Sequence, residues 1–79
     1  MARLLYIGTA GTDDPTRAGL PFNFALGALE AGHVPEIFLV GEAPHLLRPN
    51  IAEWVIPVGL PSVREMLDKL VAAGVPIHA

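Results

Sequence analysis

The chain contains no cysteine, which removes disulfides, a thiolate nucleophile and cysteine-based metal sites from consideration. Positive charge is equally sparse: four arginines and one lysine are scattered through 79 residues, and the net charge is −3. A nucleic-acid surface needs several phosphate-neutralising cations on one face, so that partner class is excluded. Long hydrophobic runs are missing as well. Uninterrupted apolar stretches such as Ile37 to Val40 are far too short to cross a bilayer. Met1-Ala2-Arg3 enters a strand-like run without the organisation of a signal peptide. The cytoplasm is the expected compartment.

What is present is an unusual amount of hydrocarbon for so short a chain. Hydrophobic residues make up 52% of the 79 positions, above the usual share of a soluble domain. A single domain of this size buries only about 60–65% of its unfolded surface. The surplus must therefore lie outside, and contiguous apolar surface points to a partner. A homo-oligomer is expected.

Apolar runs and helical patterns alternate along the chain. Strands are predicted near 3–8, 34–40, 53–58 and 75–78, the third and fourth weakened by Pro57 and Pro76. Leu4 to Ile7 shows no polar alternation, which predicts a strand buried on both faces. A helix is predicted from Pro15 to Gly32, with Asp13 or Asp14 as its cap, Pro15 in its first turn and Gly32 as its left-handed stop. It is apolar almost all round, and Pro21 is expected to kink or divide it. Phe22, Phe24 and Ala28 are the candidate interface residues on it. A short helix is expected over Ala43 to Arg48. The clearest helix runs from Ser62 to Ala73, opened by a Ser62/Glu65 capping box and closed by Gly74. The pattern β-α-β-(α)-β-α-β describes one α/β domain over 1–79, a three-layer parallel sheet with right-handed crossovers.

In open parallel sheets ligands sit beyond the carboxyl ends of the strands. That rule gathers Thr9, Gly11, Thr12 and Asp13 from the first loop, Gly41 and His45 from the second, and His78 from the tail. These are the candidate ligand-binding residues. Gly8-Thr9-Ala10-Gly11-Thr12 is either a loose phosphate-cradling loop or an ordinary tight turn followed by a cap; it is neither a dinucleotide fingerprint nor a P-loop. Asp13 and Asp14 read as caps or as an acid/base pair. Arg17 is placed to pair with an aspartate or with a neighbouring subunit. His33, His45 and His78 lack metal-ligand spacing, so no metal and no cofactor are expected, although His45 and His78 share the expected active edge. Ser62 is committed to its cap, and no nucleophile elbow is present.

Three blocks in order, Asp13-Asp14-Pro15-Thr16-Arg17-Ala18 with Leu20-Pro21-Phe22, then Phe38-Leu39-Val40-Gly41, then Leu70 to Ile77, resemble the DsrE/DsrF-like family over essentially the whole chain. The resemblance implies a flavodoxin-like or Rossmann-like α/β subunit that assembles into trimers, hexamers or related rings. It also implies kinship with proteins that relay sulfur as a cysteine persulfide, and a sulfur-relay protein as partner. In that family the carrier cysteine commonly follows the strand matching Val75 to His78, and family domains are longer. By that comparison the 79 residues correspond to the amino-terminal two-thirds of such a domain. Persulfide transfer needs a thiolate, and this chain has none. The catalytic residues therefore stay unassigned. A small-molecule or anion-binding module and a purely structural partner subunit are the alternatives.

Overall fold

The computed structural model describes residues 2–79. Strand β1 (Arg3–Gly8) leads through a loop to helix α1 (Pro15–Glu30), and strand β2 (Val34–Leu39) follows. A 3-10 turn (Ala43–Leu47), the short helix α2 (Pro49–Ala52), helix α3 (Val63–Ala72) and strand β3 (Ile77–His78) complete the order. The three strands form one parallel sheet in the order β1-β2-β3. Arg3 pairs with Val34 and Gly8 with Leu39, while Ile37 pairs with Ile77 and Phe38 with His78. The architecture is α/β and is compatible with part of a flavodoxin-like fold.

Local chemistry sets the helix ends. The Asp14 carboxylate accepts from the Arg17 N–H at 3.2 Å, and Pro15 occupies the first helical position, where no N–H is needed. Ser62 Oγ accepts from the Glu65 N–H at 3.3 Å and opens α3 in the same way. At the far ends, Gly32 (φ 82°) and Gly74 (φ 78°) take left-handed backbone that a β-carbon would strain. Around each the chain closes with paired returns, from His33 to the Ala28 carbonyl and from Val75 to the Leu70 carbonyl.

Helix α1 runs continuously from Pro15 to Glu30, so of the two expected effects of Pro21, a kink or a division, the division does not occur. Pro21 is buried, and its ring lies close to Gly8, a position with no side chain to obstruct it. Packing on the sheet thus holds the helix together across the missing N–H donor.

The expected strand at 53–58 is not a strand. Val55 and Pro57 are buried while Trp54, Ile56 and Val58 face out, which reproduces the alternation of a half-buried strand. Its backbone bonds elsewhere, however: the Val55 carbonyl accepts from Val63 N–H at 2.9 Å, and Val58 N–H donates to Thr16 Oγ1 at 3.2 Å. Pro57 has no donor to give, and the free side of β2 is taken by β3. The last strand is also shorter than its expected 75–78 span. Val75 spends its N–H on the end of α3, and Pro76 contributes only its carbonyl, to Ile37 at 3.0 Å.

The core lies between the helices and one face of the sheet. Phe22, Ile37, Leu39, Leu46, Met66 and Leu70 are fully buried there. On the opposite face Leu5 is 55% and Ile7 61% exposed, and Phe38 and Val40 are exposed as well. The expectation that β1 is buried on both faces is therefore corrected. Each strand is added on the same side of its predecessor, so right-handed crossovers put their helices on one common face. Among the described residues nothing covers the other face.

Candidate functional site

Sequence and structure agree that two loops meet at the carboxyl ends of β1 and β2. Gly11 is buried against the second loop: a β-carbon there would stand 2.5 Å from the Glu42 carbonyl oxygen. Gly41 adopts φ 63°, and a β-carbon on it would stand 3.1 Å from the Thr9 carbonyl. Only glycine permits this approach and this backbone. Thr9, Gly11, Thr12, Asp13 and Gly41 are thereby brought to one rim. Thr9, Thr12 and Asp13 are exposed on it.

The rim's carboxylates serve its own backbone. Asp13 Oδ1 accepts from the Gly11 N–H at 2.8 Å, folding the loop back on itself. Asp14 caps α1. An anion entering here would meet two carboxylates and one already-used amide. Among the described residues no polar or charged residue is buried, and no three His, Asp or Glu side chains converge to hold a metal ion. The rim is an exposed ring of short polar side chains around a loop, without a desolvated catalytic cluster.

His45 and His78 are each engaged with a different carboxylate. His45, on the 3-10 turn, lies 3.7 Å from Glu42 three residues before it, and both are exposed. His78 belongs to the open face of the sheet, where its Nε2 is 3.3 Å from Glu36 and its ring centroid is 6.2 Å from that of Phe38. Glu36 also accepts from Arg3 at 3.1 Å. The result is a polar row, Arg3–Glu36–His78, crossing all three strands on the open face. It was invisible without the strand register, since the three residues are far apart in the chain. His33 is engaged elsewhere: its Nδ1 accepts from the Ala2 N–H at 3.0 Å.

The three candidate interface residues separate by burial. Phe22 and Ala28 lie in the chain's own core, while Phe24 is 51% exposed beside Tyr6, with ring centroids 6.3 Å apart. Phe22 and Ala28 point inward because α1 turns its Ala18, Phe22 and Ala25 side to the sheet and α3. A cleft of about 240 Å³ runs between β1 and α1 beside Phe24, lined by Tyr6, Gly8, Leu20 and Pro21, with Arg17 on its wall. Its signal in the sequence is faint, because an edge groove depends on which strand lies outermost. No helix is long and apolar enough to cross a membrane among the described residues. Compared with protein-family models, curated proteins and solved structures, the chain matches none.

Proposed function

We propose that this chain is a subunit related to the DsrE/DsrF-like sulfur-relay proteins, its activity unassigned, that works as a cytoplasmic homo-oligomer. The observation that supports this reading is the parallel sheet with Leu5, Ile7, Phe38 and Val40 exposed on one face, where such sheets are normally covered on both. Assembly completes the third layer by bringing other copies over that face, in the trimer or hexamer that the family resemblance implies. The 79 residues contain no cysteine, so the thiolate that a sulfur relay needs is not among them. Native mass measurement tests the reading: the expected result is a multiple of the 8.4 kDa chain at micromolar concentration, and a monomer refutes it.

A second reading takes its support from the cleft beside Gly8, Thr9 and Ala10, which carries the Arg17 guanidinium on its wall. Here the chain binds a small anion or nucleotide at that rim. Thermal unfolding across a panel of phosphate, sulfate and nucleotides is the test, and no shift with any of them rejects it.

A further inference from the structure

Strand β1 is an edge strand, and its outer side is unpaired among the described residues. It contains no proline and no lysine, the residues with which proteins commonly protect such an edge. Ala2 and Gly8 direct their carbonyls to β2, accepting from Val34 and Val40 at 2.8 and 2.9 Å. By the alternation of a strand, Leu5 and Ile7 therefore turn their N–H and C=O groups outward.

Helix α1 carries a second anomaly. Arg17 stands in its first turn and Glu30 at its last residue, with no acidic residue in the first turn and no basic residue in the last. Both charges oppose the helix dipole, which favours anions at the start and cations at the end. Both residues are exposed, and neither has an ion-pair partner among the described residues. Arg17 lies seven residues before Phe24 and Glu30 six after it, so the two charges are placed almost symmetrically about Phe24.

We infer that two copies of this chain join edge to edge about a twofold axis at Tyr6 and Phe24. Their β1 strands pair antiparallel into a continuous sheet, and their α1 helices pack antiparallel above it. This rests on the assembly reading proposed above and specifies one of its contacts. With Tyr6 on the axis, Leu5 of one copy faces Ile7 of the other, and each such pair exchanges both N–H···O=C bonds. Leu4 comes opposite the partner's Gly8, where no side chain obstructs it, beside the cleft that Leu20, Pro21 and Phe24 line.

The helices fit the same axis. Tyr6 and Phe24 are neighbours, so the centre of the strand pair and the centre of the helix pair coincide. Helix α1 packs on both β1 and β2, about half a strand spacing inside the edge. Strands joined at about 4.8 Å then bring the two α1 axes to about 10 Å, an ordinary helix–helix distance. Antiparallel helices centred on Phe24 set Arg17 of each copy beside Glu30 of the other, giving both charges partners.

Charge exchange in the full chain tests the inference. Arg17→Glu and Glu30→Arg each improve agreement with the helix dipole, so neither is expected to weaken α1 itself. Each single swap is expected to raise the dimer dissociation constant at least about tenfold in analytical ultracentrifugation, and the double swap to restore it to within about threefold. Amide exchange at Leu5 and Ile7 is expected to slow with rising protein concentration. A wild-type monomer sinks the assembly reading and this contact with it. An oligomer indifferent to the single swaps, or not rescued by the double, overturns this contact alone and leaves assembly standing.

Discussion

Gly19 lies on the buried side of α1 against Pro57, and its replacement by alanine sets two energies in opposition. Alanine is favoured over glycine inside a helix by about 1 kcal/mol. Against that gain, the new methyl would overlap the Pro57 ring and come within 3.3 Å of Met66 Cε. The methionine end is flexible and can move. The proline ring is rigid, and its segment is pinned on both sides by Val63 N–H to the Val55 carbonyl and Val58 N–H to Thr16 Oγ1. Over-packing costs about 1–3 kcal/mol, and against a rigid, pinned ring the upper part of that range, about 2–3 kcal/mol, applies, so the clash exceeds the propensity gain. The net expectation is a loss of about 1–2 kcal/mol, and each kcal/mol lowers the midpoint of a domain this size by about 4–8 °C. Gly27 supplies the contrast within the same helix, since a β-carbon there meets nothing within 4 Å. Gly27→Ala is expected to stabilise by about 0.5–1 kcal/mol. Urea unfolding of both variants and wild type at one protein concentration is the assay. If Gly19→Ala proves as stable as wild type, or the two variants rank the other way, the contact between α1 and the 55–58 segment is misassigned.

Three further outcomes follow from the packing. Gly11→Ala drives a methyl to 2.5 Å from the Glu42 carbonyl oxygen and is expected to cost about 1–3 kcal/mol; unchanged thermal unfolding would separate the two loops. Ser62→Ala removes the 3.3 Å bond to the Glu65 N–H and is expected to lower stability by about 1 kcal/mol, measured by urea denaturation, with no loss meaning that α3 starts elsewhere. Phe22→Ala empties the centre of the core, where Phe22 is fully buried. Its cost of about 3–5 kcal/mol approaches the whole stability of a domain this small, so circular dichroism is expected to show an unfolded or barely folded chain; a cooperative transition near wild type contradicts the core assignment.

The features legible in the sequence are those decided by neighbours in the chain. Gly32, Ser62 and Gly74 mark helix ends because capping is local chemistry, and all three serve where expected, while of Asp13 and Asp14 it is Asp14 that caps α1. The boundaries of β1 and β2 were likewise close, since each is an apolar run stopped by a turn. The carboxyl-end rule also brought Thr9 to Asp13 together with Gly41. Errors arose where the answer depends on distant parts of the chain. Residues 53–58 carry a strand's alternation because one side of the segment is buried, yet periodicity reports burial and not the identity of the hydrogen-bond partner. The pairing of His78 with Glu36, in place of an approach to His45, follows from the β2–β3 register. Phe22 and Phe24 look alike in sequence, and only the position of the sheet sends one inward and the other out.

Strand order has the largest consequence for function. With β1, β2 and β3 added successively on one side, each right-handed crossover deposits its helix on the same face. Covering the second face with the same kind of connection would require the order to reverse, as it does in doubly wound sheets. Any cover for Leu5, Ile7, Phe38 and Val40 would therefore come from something other than α1 and α3. The row Arg3–Glu36–His78 limits what that cover can be. Exposed ion pairs of this kind contribute about 0–1 kcal/mol, so the row does little for the fold and loses little by staying wet. Burying it without matching groups would cost several kcal/mol for each charge. A covering surface would accordingly centre on the aliphatic pair Leu5 and Ile7 and on Phe38, and would either leave the polar row in solvent or bring matching groups to meet it.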